Sequence, residues 1–523
     1  MHASLTTSDL TFTWPDGTVA LDGLDLSVGP GRHGLVGLNG SGKSTLLRLL
    51  AGELRPTSGC VGVNGSVAYL PQDPGADPSQ LVEDVLGIAG VRRALHAIEA
   101  GDPDVRHFEV VGDDWNVEER AHAELSRLGL GHLGLDRAVP SLSGGELVLL
   151  TLAARLLTRP SVLLLDEPSN NLDVAARARL NEVVSTWSGT LLVVSHDRPL
   201  LELVDDIAEL RDGSVRWYGG SYSAYEEAVT IEQEAAHRAV HAAEGNVRAQ
   251  RRDLSDAQTV IARRKRYGQR MYDQKREPKI VMGLRKRSAQ ESAGKLRGMH
   301  EARLDDARER LEEAESLVRD DREIRVELPR TAVPPGRRVL TLEDVRLPHG
   351  EAVVDLDLRG PERMAVLGRN GAGKTTLLRT IVGSVAPLGG TVDLRVPARY
   401  LPQRLDLLDP TLTIAQNVAR TAPEATETDR RAQLARFLFR GRRADQLAGT
   451  LSGGERLRAT LACLLLAEPA PQLLLLDEPS NNLDLVSIRH LTEALAAYRG
   501  ALLVVSHDES FLADLGLDRE ITL

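Results

Sequence analysis

At 523 residues, 42% hydrophobic, 27% charged and a formal net charge of −11, the chain has an ordinary globular composition and exceeds a single core, so two or three domains are expected. Aromatic residues make up only 3%, so any nucleic-acid contact must rest on charge rather than on base stacking. Cys60 and Cys463 form no CxxC or Cys/His cluster, which argues against a disulfide framework or zinc site, and no window approaches the roughly 18 to 20 apolar residues needed to cross a bilayer.

In chain order, the apolar run Gly34–Leu38 leads into Gly37, Leu38, Asn39, Gly40, Ser41, Gly42, Lys43, Ser44 and Thr45, which match G-x-x-x-x-G-K-[ST] and open a helix-like run. YLPQ follows, ending at Gln72, and then LSGGE with Ser143, Gly144 and Gly145. The run Val162–Leu165 reads as a buried parallel strand that delivers Asp166 and Glu167 at its carboxyl end, and LLVVSH ends at His196. The opening residues Met1–Thr7 hold no basic stretch followed by an apolar core, so the cytoplasm is the expected compartment.

From Glu227 to Asp321 the pattern changes to long helices, with Leu296, Met299, Ala307, Leu311, Ala314 and Leu317 on one face. Pro278 and Gly283 interrupt it, which predicts two antiparallel helices joined at a tip. At 1.5 Å per residue, helices of about 35 to 40 residues would reach roughly 55 to 60 Å. Charge gathers at that tip. Between Ile261 and His300 stand 13 Lys/Arg (Arg263, Arg264, Lys265, Arg266, Arg270, Lys275, Arg276, Lys279, Arg285, Lys286, Arg287, Lys295 and Arg297) against Asp273, Glu277 and Glu291. In an acidic chain this asymmetry, with Tyr267 and Tyr272 interleaved, favours a polyanion bound through its phosphates.

Beyond the helices the first motifs recur in the same order. Gly368, Arg369, Asn370, Gly371, Ala372, Gly373, Lys374, Thr375 and Thr376 repeat the glycine-rich loop, and Gln403, Ser452, Gly453, Gly454, Asp477, Glu478 and His507 repeat the rest. The first copy is longer by about 22 residues, around Gly87–Trp115. This repeat predicts an α/β fold of two P-loop domains, 1–227 and 335–523, joined by a helical hairpin over 228–334. Glycines let backbone N–H groups turn inward around phosphates, Lys43 and Lys374 neutralise the β/γ charge, and the Ser44 and Thr375 hydroxyls are candidate Mg²⁺ ligands. Asp166 and Asp477 would hold Mg²⁺ through water, Glu167 and Glu478 would deprotonate the attacking water, and His196 and His507 would contact the γ-phosphate of ATP.

These residues resemble the ATP-binding cassette superfamily, from which LSGGE excludes other P-loop ATPases. The resemblance implies shared sites: Ser143, Gly144 and Gly145 would complete the site of Lys374, and Ser452, Gly453 and Gly454 that of Lys43. It makes Gln72 and Gln403 contacts to Mg²⁺ and to the mechanical output, and places Trp14 where an aromatic stacks on adenine, although a surface aromatic is a rival reading. The second copy has Leu347 at that place, and Leu149 replaces the arginine that Arg458 supplies, so unequal sites are expected. Tandem cassettes with an inserted basic hairpin resemble the F subfamily, whose members act on ribosomes as translation factors or antibiotic-resistance proteins. That resemblance implies a cytoplasmic monomer with intramolecular cassette pairing and a tip directed at rRNA and tRNA. Asn171 and Asn482 depart from the subfamily's TNHLD loop. A transporter subunit with separate transmembrane partners is the alternative, for which a basic hairpin has no use. A DNA-repair or chromosome-organising ATPase is third, and the zinc-spaced cysteines and long coiled coil of those forms are absent from the sequence.

Overall fold

The computed structural model describes residues 4–75, 77, 79–170, 172–273, 279–319, 324, 326–348, 353–403, 407–481 and 483–523. Asn171 and Asn482 lie outside them. The chain divides into two compact units, 1–224 with 323–523 and 225–322.

In the larger unit each half builds the same pair of sheets. Val162–Asp166 and Leu473–Asp477 are uninterrupted apolar runs buried along their whole length, as central parallel strands must be when both faces are covered. Among the described residues, the first main sheet runs Val67–Leu70, Val162–Asp166, Thr190–Val194, Gly31–Val36, Asp206–Arg211, Ser214–Gly219. Its last pairing is antiparallel and the others are parallel. The second runs Ala398–Leu401, Leu473–Asp477, Ala501–Val505, Arg363–Leu367, Arg519–Thr522, parallel throughout. A three-stranded antiparallel sheet packs beside each, with Ser4–Thr13 or Arg338–Arg346 in the middle. Ile324, Val326 and Leu328 pack in the core of the second half, which is built around the fully buried Phe437 and Phe511.

The extra residues of the first half form helices Ala89–Glu99 and Val105–Val111 ahead of Val117–Arg127. Arg92, on the first of these, gathers Glu83, Glu118 and Asp136 around its guanidinium.

The smaller unit is a hairpin of helices Tyr222–Asp273 and Lys279–Leu317. Its first helix has 52 residues, about 78 Å of rise, longer than the sequence pattern suggested. Gly283, expected to interrupt the pattern, lies inside the second helix, because one glycine costs a helix only about 1 kcal/mol and does not end it. The helices pack through Val247, Leu304 and Ala307, and Gln233 bonds the Leu317 carbonyl and the Arg319 N–H. Met299 and Leu317, placed on the apolar face by periodicity, are 42% and 67% exposed, and Leu304 takes the buried position instead. At the tip, Arg263, Arg264, Lys265, Arg266, Tyr267, Arg270, Arg287, Lys295 and Arg297 are exposed. Lys275, Arg276, Glu277 and Pro278 lie outside the described residues, as do the side chains of Tyr272, Asp273, Lys279, Arg285 and Lys286.

Candidate active site

Strand order brings the phosphate chemistry to one edge of each main sheet. Thr190–Val194 lies between Val162–Asp166 and Gly31–Val36, all parallel, so their carboxyl ends carry Glu167, His196 and the glycine-rich loop side by side. The Glu167 N–H donates to the Val194 carbonyl at 2.8 Å, and the Glu478 N–H to that of Val505 at 2.8 Å. Both glutamates have left-handed backbone, φ 47° and 46°, which non-glycine residues rarely adopt and which concentrates at working sites.

The loops have the backbone shape of a phosphate cradle. Gly42 and Gly373, at φ 97° and 99°, cap the helices Lys43–Leu50 and Lys374–Ile381, and a Cβ on Gly42 would sit 2.7 Å from the Ala20 carbonyl oxygen. Lys43 Nζ donates to the carbonyls of Gly37 and Leu38 at 2.8 and 2.9 Å, and Lys374 Nζ to those of Gly368 and Arg369 at 2.7 and 3.0 Å. Burial lowers the pKa of both lysines, against the pull of the nearby acids. Ser44 Oγ and Thr375 Oγ1 each donate to the neighbouring aspartate, Asp166 and Asp477, at 3.1 Å. Tyr69 and Tyr400 donate to the second oxygen of the same aspartates at 3.1 and 2.7 Å. Sequence reasoning passed over these tyrosines, although both stand in YLPQ and repeat with it.

Burial pushes the Glu167 carboxyl well up, and pushes the His196 imidazole down beside it, Nε2 lying 3.1 Å from Glu167 Oε1. Neither His196 nitrogen makes an aligned hydrogen bond among the described residues, and the buried Ser41 Oγ is unpartnered as well. In the second copy burial raises Glu478 to about 7 and lowers His507 to about 4, leaving His507 neutral beside Lys374 Nζ at 3.1 Å. Buried polar atoms without partners, a glycine cradle and paired hydroxyl and carboxylate oxygens fit a polyphosphate with a divalent cation.

Each site is completed from the other half. A cavity of about 480 Å³ is lined by Asn370, Gly371, Gly373, Lys374, Thr375, Thr376, Gln403, Asp477, Glu478 and His507, and also by Ser143 and Gly144 of the first half. Ser143 caps helix Gly144–Leu157 in a reciprocal pair with Glu146, and its N-terminus therefore faces that cavity. Gly145 is buried in the helix start rather than among the lining residues. On the other side, Gly453 stands against Asn39, with a Cβ on it 3.7 Å from the Asn39 amide nitrogen Nδ2. Ser452 repeats the cap with Glu455, and Gly454 sits tightly over Ser487. The Asn39 N–H donates to Asp484 Oδ2 at 2.8 Å, a direct bond between the halves. Asp484 ends the repeated SNNLD, so the signal was present, but no role was assigned to it.

A family model described as ABC transporter matches residues 21–170 and 352–481, together more than half of the chain. The tylosin resistance ATP-binding protein TlrC of Streptomyces fradiae is 34% identical over 526 residues, covering 94% of this chain and 92% of the relative. The energy-dependent translational throttle protein EttA of Escherichia coli is 31% identical over 532 residues, covering 94% and 87%. The chain belongs to the ATP-binding cassette superfamily, in its F subfamily. The probable ATP-binding protein YheS of Escherichia coli is 32% identical over 517 residues, covering 94% of this chain and 75% of the relative. Among solved structures, RNase-L Inhibitor aligns with TM-score 0.56 at 18% identity, over 98% of this chain and 87% of that one, a likeness of fold.

Other residues of these cassettes stand at the flanks of the sites. Gln72 is exposed after its strand, whereas Gln403 lines the cavity. Thr45 is buried in its helix, and Leu38 is 41% exposed. Trp14, at the turn after Ser4–Thr13, stands edge-on to Phe12 with ring centroids 4.9 Å apart and has Arg48 6.0 Å from its ring. Leu347 is instead buried in the antiparallel-sheet core of the second cassette. Arg458 lies over the Phe439 ring at 5.5 Å, and Leu149 is buried.

Proposed function

We propose that the chain hydrolyses ATP at two shared sites and uses the resulting opening and closing to act on the ribosome through its basic hairpin. The observation that carries the hydrolytic half is the cavity lined by Lys374, Glu478 and His507 of one cassette and Ser143 and Gly144 of the other. A bound Mg²⁺ would supply charge neutralisation for the departing phosphate. Ser44 with Asp166, and Thr375 with Asp477, would hold it. Lys43 and Lys374 bind the β/γ end, and the capped helices of Ser452 and Ser143 present N–H groups to the same phosphate from across the interface. Glu167 and Glu478, held by their strained backbone between two strand ends, take the proton of the attacking water. Neutral His196 and His507 orient the γ-phosphate by hydrogen bonding without adding a cation.

The ribosomal half rests on the exposed cations of the tip and on the relatives, one a translational throttle and one a tylosin resistance protein. Among the described residues no helix is long and apolar enough to cross a membrane. Changing Glu167 and Glu478 together to Gln should abolish turnover, retain ATP and prolong ribosome association in co-sedimentation. Deleting 263–297 should remove that association. A double variant that releases ATP as the parent does, or a deletion that leaves binding unchanged, refutes the reading. Susceptibility of expressing cells to several ribosome-targeting antibiotic classes, tylosin among them, separates a resistance role from a general translation role.

A further inference from the structure

The segment ahead of the second cassette is seated in a groove of that cassette. Ile324, Val326, Leu328 and Val333 are buried there. The Ile324 N–H donates to Glu493 at 2.8 Å, the Val333 N–H to the Arg499 carbonyl at 3.4 Å, and the Arg499 N–H to the Thr331 hydroxyl at 3.3 Å. Gln472 donates to the Ala332 carbonyl at 3.4 Å, and Arg330 faces Glu468 at 3.8 Å. The groove wall is therefore the stretch after helix Leu485–Ala496 together with the turn that leads into strand Leu473–Asp477.

The repeat gives the first cassette the same wall. Trp187, Ser188 and Gly189, after helix Val174–Ser185, stand where the second cassette has Tyr498, Arg499 and Gly500, and Ser161 stands for Gln472. Here a cavity of about 530 Å³ is lined by Leu156, Arg159, Pro160, Ser161, Trp187 and Ser188. Among the described residues neither the N–H nor the carbonyl of Ser188 is hydrogen-bonded, and the buried Trp187 Nε1 has no partner. A Cβ on Gly360 would collide with Val333, whereas one on its counterpart Gly29 would meet nothing within 4 Å. The facing charge is reversed as well. Glu468, ahead of Pro469, becomes the exposed Arg159, ahead of Pro160, which has no ion pair among the described residues. Arg127, also at this cavity, is already bonded to Glu124 at 2.7 Å, so Arg159 sets the charge that an occupant must answer.

We propose that this groove of the first cassette docks an extended segment of a partner protein, in which an acidic residue meets Arg159 and a following hydroxyl-bearing or β-branched residue meets the Ser188 backbone. The second cassette supplies the pattern: main-chain bonds hold the strand, and the side chains that alternate along it select the sequence. Ser161 and Gly189 immediately precede the strands Val162–Asp166 and Thr190–Val194, so the groove opens at their amino ends. Glu167 and His196 stand at the opposite, carboxyl ends. A partner seated here leaves the nucleotide sites uncovered.

The test is fluorescence anisotropy of labelled synthetic peptides titrated with the full chain. One peptide has the sequence of residues 324–334 with Arg330→Glu, and the other keeps Arg330. The first should bind one site per chain, about tenfold more tightly than the second, as turning one partly screened repulsion into an attraction predicts. In the Arg159→Glu chain the preference should invert, with ATP hydrolysis held within about twofold because the substitution lies away from the nucleotide edge. Amide hydrogen exchange over residues 186–189 should slow when the Glu peptide binds, which locates it. Absence of saturable binding, equal affinities for the two peptides, a preference that does not invert, or protection confined to other segments would overturn the proposal. Self-association of the chain that Arg159→Glu abolishes would give the groove to a second copy and would overturn it too.

Discussion

Asp484→Ala isolates what the bond between the cassettes contributes. Asp484 is 5% exposed and bonds two separable partners: Ser487, whose N–H donates to Oδ1 at 2.8 Å and so caps helix Leu485–Ala496, and Asn39 of the opposite phosphate loop, whose N–H donates to Oδ2 at 2.8 Å. Loss of the cap costs about 1 kcal/mol, and it falls on the second cassette wherever the first stands. Loss of the charge-assisted bond to Asn39 costs about 1.5 to 3 kcal/mol, and it falls on the closed arrangement alone. At about 1.4 kcal/mol per tenfold, the second term predicts nucleotide retention weakened by roughly 10- to 150-fold at the Lys43 site. Asp484→Asn keeps the cap and an uncharged acceptor, so its loss should stay under about tenfold. The assay is equilibrium titration with a fluorescent ATP analogue in the Glu167→Gln, Glu478→Gln background, with Lys374→Ala added to leave one site. Retention unchanged in Asp484→Ala, or equal losses in the Ala and Asn variants, would show that the Asn39 bond contributes nothing to closure.

Three further outcomes are expected. Cys60 is exposed and Cys463 is buried, with burial pushing its thiol up to about 12, so a thiol reagent should label one cysteine in the native protein and two in denaturant, counted by intact mass. Phe437→Ala empties a fully buried site at the centre of the second cassette and should cost about 3 to 5 kcal/mol, seen as a lower unfolding midpoint relieved by ATP less than fully. Gly37→Ala should abolish nucleotide binding at the Lys43 site while leaving the Lys374 site in use, because a Cβ there would lie 2.4 Å from the Leu210 carbonyl oxygen; binding stoichiometry falling from two to one checks it.

The sequence by itself determined the repeat, and through it named most of the residues that the structure gathers in the candidate site. Glycine-rich loop, buried strand and LSGGE turn are each short segments whose chemistry is fixed by residue type, so Lys43, Ser44, Asp166 and their second copies could be named from spacing. The hairpin was legible as helices but not in its packing. Alanine-rich helices give a weak periodic signal, which is why Met299 and Leu317 were placed inward and Leu304 was missed.

What the tertiary structure alone decided are relations between segments far apart in the chain. Tyr69 reaches Asp166, Asn39 meets Asp484 and Arg198 meets Asp514 because parallel crossovers and the pairing of two cassettes set distances that local pattern does not carry. The sharing of each site follows from the same cause. Each capped LSGGE helix is complete within its own cassette, and only the packing of one cassette on the other points it at a phosphate cradle that its own cassette does not contain.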